Sequence, residues 1–172
     1  MLLRALRVEA ELPGAQADVA APRQLGDDDV PPFDVIDVVV ISDRRRGSEM
    51  FAEATVKVKV GSEVMHTVAD GTGPVHALAV AFHKALDPLH PLLREVHLAD
   101  YKVRILDPEA GTGAKTRVLI ESARGEERWS TIGVSQNIIE ASCEALADAF
   151  ELPLVRARAA DAPAIAQGAA GS

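Results

Sequence analysis

The sequence predicts an α+β domain built from a duplicated βββα unit, with antiparallel sheets and one helix per repeat packed on them. Three observations predict it. Thr67, Val75, Ala77, Ala81, Ala85 and Leu86 return 64 residues later as Thr131, Ile139, Ala141, Ala145, Ala149 and Phe150, which is the signature of an internal repeat. In each copy, segments with the two-residue period of a strand precede a stripe with the 3.6-residue period of a helix. Glycine-containing turns join the last strand of each copy to its helix.

The first strand is read from Val35, Asp37, Val39 and Ile41 on one pleat face and Ile36, Val38 and Val40 on the other, so it is apolar on both sides near its middle. Val56, Val58 and Val60 alternate with Lys57 and Lys59, as a half-buried strand does. Gly61 and Ser62 supply a two-residue hairpin turn, and residues 64–68 return as a third strand. The second copy opens with Tyr101, Val103 and Ile105 alternating with Lys102 and Arg104, continues over residues 116–122 and returns over 128–134. Its hairpin loop, around residues 123–126, is expected to be about two residues longer, slipping the offset to about 62 across the preceding strand.

The helices follow from two apolar stripes. Val75, Leu78, Ala79, Phe82, Leu86 and Leu89 form the first, and Ile139, Ser142, Cys143, Leu146 and Phe150 the second. His76, His83 and Lys84 fall on the opposite face of one, Glu140, Glu144 and Asp148 on that of the other. Gly73 before Pro74 makes a permissive N-cap ahead of a proline at the first helical position. Asn137, followed three residues on by Glu140, has the spacing of a capping box.

Composition bounds the rest. At 172 residues and 48% hydrophobic, the chain can bury one good core, and with only 3% aromatics that core must be aliphatic. A net charge of −8 repels phosphate backbones and anionic lipid, which argues against nucleic acid and membranes as partners. Cys143 is the only cysteine, excluding an internal disulfide. With no bilayer-length apolar run and no secretory pattern at the start, a cytoplasmic location is expected. Residues 13–32 are rich in Pro, Gly, Ala and Asp, and 157–172 in Ala, Pro and Gly. A disordered arm is therefore expected over residues 1–32 and a disordered tail over 157–172, around a domain at 33–156 whose repeats divide into 33–92 and 93–156.

A helix start preceded by small residues offers backbone N–H groups and a partial positive charge to a carboxylate or phosphate. Gly71, Thr72 and Gly73 form such a start in the first copy, and Gly133, Val134 and Ser135 in the second. The alternative reading is that these glycines only permit tight strand-to-helix turns. Gly111, Thr112 and Gly113 make a weaker third loop. His83, His90 and His97 recur every seven residues, but Pro88 and Pro91 interrupt the helix and prevent a metal pair. Cys143 sits on an apolar stripe, as an inert buried thiol does. No nucleophile with an adjacent base appears, so no catalytic or metal residues are assigned.

Three stretches carry a family resemblance: residues 100–107 (Asp-Tyr-Lys-Val-Arg-Ile-Leu-Asp), 111–122 beginning Gly-Thr-Gly-Ala-Lys-Thr, and 129–142 beginning Trp-Ser-Thr-Ile-Gly-Val-Ser. They resemble, in order, the C-terminal regulatory domain of citramalate synthase. Residues 66–75, His-Thr-Val-Ala-Asp-Gly-Thr-Gly-Pro-Val, look like the glycine-rich turn which that domain shares with 2-isopropylmalate synthase. The likeness covers about residues 33–154.

The resemblance implies a domain that dimerises an acetyl-CoA-dependent synthase and binds the pathway end product, a branched-chain amino acid, isoleucine before leucine, as a feedback inhibitor. It implies no cofactor for this domain, the divalent metal belonging to a catalytic barrel absent from this chain. Bound between the two repeats, the effector would have its carboxylate met by N–H groups of residues 71–75 (Gly71, Thr72, Gly73, Pro74, Val75) or 133–139 (among them Gly133, Ser135 and Asn137), while Val75, Val134 and Ile138 would enclose its aliphatic side chain. Asp70 would accept from its ammonium group, and Tyr101 and Thr112 are secondary candidates. The partner would be a second copy, a full-length synthase or a separate barrel. A paralogue that keeps the fold only for dimerisation, with no small ligand, is the other reading.

Overall fold

The structure, a computed structural model, describes residues 30–44 and 50–161. Its element order is β1 (Asp34–Asp43), β2 (Phe51–Val60), β3 (Glu63–Gly71), α1 (Pro74–Leu86), β4 (His97–Ile105), β5 (Thr116–Arg124), β6 (Glu127–Ser135) and α2 (Ile138–Asp161). Strands β1-β2-β3 form one antiparallel sheet and β4-β5-β6 a second, each followed by a helix. The fold is the duplicated βββα unit. A short 3-10 turn, Pro91–Glu95, lies between α1 and β4.

The repeat is tighter than the loop lengths suggested. Gly125 and Glu126 alone join β5 to β6, and Gly125 has the same φ of 59° as Gly61 in the first hairpin. Ala52 pairs with Gly71 and Thr116 with Ser135, so the 64-residue offset holds through both hairpins rather than slipping to 62. Both turns put glycine where φ is positive, and that requirement fixes loop length and register together. Each first strand also carries an irregularity at the corresponding place, between Val35 and Asp37 in β1 and between Leu98 and Asp100 in β4.

That bulge corrects the reading of β1. Strict alternation would put Val35 on the face of Val39 and Ile41. The extra residue, Ile36, instead turns Val35 inward with Val38 and Val40, all three packed against the core, while Val39 and Ile41 stay exposed. The strand is apolar on both faces, but only one is covered.

Each helix lies on its own sheet, α1 over β2 and β3, and α2 over β5 and β6. Small residues make the close approach possible: Ala77, Ala81 and Ala85 in α1, and Ala141, Ala145 and Ala149 in α2, are all buried. Thr67 Oγ1 donates to the Ala81 carbonyl at 2.8 Å, and Thr131 Oγ1 to the Ala145 carbonyl at 2.7 Å, pinning helix to sheet at equivalent points. The helices meet where Phe82 packs on Phe150, ring centroids 5.8 Å apart, with the His83 ring edge-on to Phe150 at 4.8 Å. One buried cluster draws residues from both repeats, including Val56, Leu78, Ile120, Trp129 and Leu146.

Two expectations about α2 change. Asp148, placed on the polar face by periodicity, is 3% exposed, and Glu151 is 1% exposed, because this helix is covered by its own sheet and also flanked by the first repeat. The helix also runs to Asp161, past the boundary expected at residue 156, and contains Pro153. Leu152 and Leu154 are buried, and Arg156 reaches Glu127 at 2.6 Å, so packing outweighs the hydrogen bond that proline removes. The rest of the expected tail, residues 162–172, and the expected arm up to residue 29 lie outside the described residues. No helix among the described residues is long and apolar enough to cross a membrane.

Candidate functional site

Topology brings several of the candidate residues to corresponding ends of the two sheets. Ser135, at the end of β6, pairs with Thr116, which in turn pairs with Ile105. The β4–β5 connection holding Thr112 therefore shares an end with the turn that starts α2. In the first repeat, Ala52 at the start of β2 pairs with Gly71 at the end of β3, beside the turn that starts α1.

The first turn is built by glycine, proline and histidine. Gly73 is the N-cap of α1 in extended conformation, with Pro74 in the first helical turn. No side chain caps it from the N-cap position; instead His76 Nδ1 accepts from the Thr72 backbone N–H at 3.1 Å and lies 3.2 Å from Thr72 Oγ1. His76 occupies the third helical position, from which a side chain can reach back over the first turn. The same spacing puts Glu140 in that position in α2.

The second turn is an acidic relay. Ile139 N–H donates to Asn137 Oδ1 at 2.9 Å, the N-cap bond that the capping spacing predicts. The reciprocal half of the expected box is different. Glu140 accepts from the Ser135 hydroxyl at 2.5 Å, and the Asn137 N–H donates to Ser135 Oγ at 3.0 Å, so Ser135 stands between them. Val134 N–H donates to Glu144 Oε2 at 3.3 Å. Two carboxylates thus face this helix start and offset its partial positive charge, whereas the first turn is faced by a histidine.

Tyr101 is tied to the second turn from below. Its hydroxyl lies 3.0 Å from Ser142 Oγ, which donates to the Ile138 carbonyl at 2.7 Å. Beside it, Lys102 at 2.6 Å and the Tyr101 N–H hold the Asp100 carboxyl below the usual range, and Asp100 raises Lys102 in return. Asp70, Thr112 and Ile138 are exposed, and Val75 and Val134 half-buried.

The glycines divide by role. A Cβ on Gly71 would fall on the Ala77 backbone, and one on Gly133 on the Ala141 carbonyl, so these two are small because a helix lies against them. Gly73 and Gly113 have open space where a Cβ would stand, and so does Gly111, whose φ is 58°. Close helix packing requires Gly71 and Gly133 to be small, whereas nothing packs against the Cβ position of Gly73.

The described hydrogen bonds at each turn stay within its own repeat. The helices touch at Phe82, His83 and Phe150, several turns along from either start. His76, Ser142 and Glu144 are the residues that sequence reading missed. The signal for His76 was present, since it stands 64 residues before Glu140 in the capping position.

Residues 15–153 match the family model described as LeuA allosteric (dimerisation) domain. The chain is 50% identical over 123 residues to an (R)-citramalate synthase of Geobacter sulfurreducens, covering 71% of this chain and 23% of that protein. It is 54% identical over 103 residues to the (R)-citramalate synthase of Synechocystis, 60% of this chain and 19% of the relative. A 2-isopropylmalate synthase of Aquifex aeolicus is 34% identical over 110 residues, covering 64% and 20%. The chain thus spans about a fifth of the length of these relatives.

Proposed function

The chain belongs to the family of LeuA allosteric (dimerisation) domains, and from that membership we propose that it regulates and dimerises a citramalate or 2-isopropylmalate synthase-type enzyme by binding a branched-chain amino acid, isoleucine before leucine. A catalytic barrel is not among the described residues, so the domain acts on one held elsewhere, in the same polypeptide or on a cytoplasmic partner. The domain boundaries at residues 33 and 156 belong to this reading, with α2 extending the far end to Asp161.

One observation carries the ligand reading: the open cap at Gly73. A small zwitterion can approach the backbone there, with the start of α1 behind it. The carboxylate is met within residues 71–75 by the N–H groups of Gly73 and Val75, since Pro74 has none and that of Thr72 is held by His76 Nδ1, the ammonium by Asp70, and the aliphatic side chain by Val75. The second turn, at Gly133, Val134, Ser135, Asn137 and Ile138, suits the ammonium end better, because Glu140 and Glu144 already face it. Regulation follows if the amino acid favours one arrangement of the dimer over another.

A thermal-shift titration with isoleucine, leucine and valine tests this. A ligand present at a hundred times its dissociation constant adds about 2.7 kcal/mol to stability. A flat melting temperature with all three at millimolar concentration rejects the reading. It would leave the assembly-only alternative, which one observation favours: His76, Ser135 and Asn137 already occupy donors and acceptors at the two helix starts.

A further inference from the structure

The last turns of α2 are held differently from the rest of the helix. Pro153 has no N–H to give the Ala149 carbonyl, four residues back. Trp129 takes that place, its Nε1–H donating to the Ala149 carbonyl at 3.0 Å. The body of α2 is therefore satisfied without the residues beyond Pro153, and the helix has a joint there. Past the joint, Leu154 is buried and Arg156 reaches Glu127 at 2.6 Å, which fastens the near half of this segment to the β5–β6 hairpin. The far half, residues 157–161, is held by one described side-chain contact: Arg158 Nη1 donates to the Val30 carbonyl at 2.9 Å. Val30 stands just ahead of β1, so this bond ties the end of the second repeat to the start of the first.

His90 stands at the same junction. It caps the 3-10 turn on which α2 packs. Its N–H donates to the Leu86 carbonyl at 2.8 Å and its carbonyl accepts from the Leu93 N–H at 2.9 Å, so the residue cannot draw back from α2 without breaking the turn. Its Nε2 is buried without a hydrogen-bond partner among the described residues.

We propose that His90 and Arg158 form a pH-sensitive latch: with His90 neutral the end of α2 stays closed on Val30, and a proton on His90 sets two cations against each other and unzips α2 from Asp161 back toward Pro153. The surrounding charges leave Arg158 to set the sign. At the end of α1, Asp87 is held by His83 at 3.0 Å. Arg94 and Glu95 of the 3-10 turn and Asp34 of β1 are exposed. On α2, Glu151 is buried and Arg156 is held by Glu127, while the Arg158 guanidinium, together with burial, opposes a charge on His90. The latch is whole above pH 6.5, the ordinary value for the ring, and loosens as the pH falls below it.

The test is the backbone order parameters of the full 172-residue chain, measured by nuclear magnetic resonance at about pH 7.5 and about pH 5.5 without amino acid. The expected result is a fall over residues 157–161 from about 0.85 to below about 0.6 at the lower pH, with residues 141–149 unchanged. His90→Asn and His90→Gln keep the end ordered at both values. Arg158→Gln, at an exposed position, loosens it at both and abolishes the pH step. An end equally ordered at both values in the unmodified chain, a step that persists in the His90 variants, or loosening shared with residues 141–149 overturns the proposal. Because no amino acid is present, failure here is distinct from failure of the effector titration.

Discussion

The hydroxyl of Thr131 donates to the carbonyl of Ala145 at 2.7 Å, fastening β6 to α2 inside the core, and Thr67 makes the same bond to Ala81 at 2.8 Å in the first repeat. A threonine in a strand has one rotamer that points its hydroxyl at the overlying helix and its methyl at the core. The alanine opposite lets the helix come close enough to accept. Duplication has preserved both partners.

Thr131→Val keeps the shape and removes the donor, and is expected to destabilise the domain by about 1 kcal/mol. Thr67→Val should cost less, because that bond is only partly buried. Urea unfolding with unchanged m-values measures both; equal or opposite effects contradict the assignment.

Glycine substitutions separate packing from capping. Gly133→Ala and Gly71→Ala each drive a Cβ into helix backbone, for an expected loss of about 1–3 kcal/mol or more. Gly73→Ala meets open space and should change stability by under about 1 kcal/mol. Melting temperatures of the three variants decide it.

Trp129 is buried and its Nε1–H donates to the Ala149 carbonyl at 3.0 Å. Trp129→Phe loses that bond and leaves a gap in the core, an expected cost of about 2 kcal/mol by denaturant titration. As the only tryptophan, it should shift its emission to the red on unfolding in the unmodified chain.

Burial, and secondarily the Arg158 guanidinium, push the His90 pKa below its ordinary value of 6.5. Its Nε2 is buried without a hydrogen-bond partner among the described residues. The folded state therefore binds fewer protons than the unfolded chain once the pH falls below that value. The stability owed to neutral His90 is whole above pH 6.5 and is lost as the pH drops through it toward the folded pKa. Taking the protein from about pH 7.5 to about pH 5.5 should lower its melting temperature, and His90→Asn should reduce the drop. An undiminished drop in the variant would assign the effect to other groups.

Much of this protein is written locally. The two periods, the Gly61 turn, the Gly73-Pro74 start and the recurrence of Thr67 as Thr131 determine strands, helices, their order and the duplication, because each depends on residues within a few positions or on a fixed offset. What escaped the sequence was set by neighbours in space. Residue spacing could not reveal that Ile36 forms a bulge and turns Val35 to the other face, since both faces of β1 are apolar. It could not show that Glu140 reaches Ser135 rather than the Asn137 N–H, or that Asp148 is buried. Nor could it separate Gly71, held small by the Ala77 backbone, from Gly73, which faces open space. The sequence by itself determined which elements form. Only the packing of one layer on another decided which surfaces are covered, because burial depends on contacts between residues far apart along the chain.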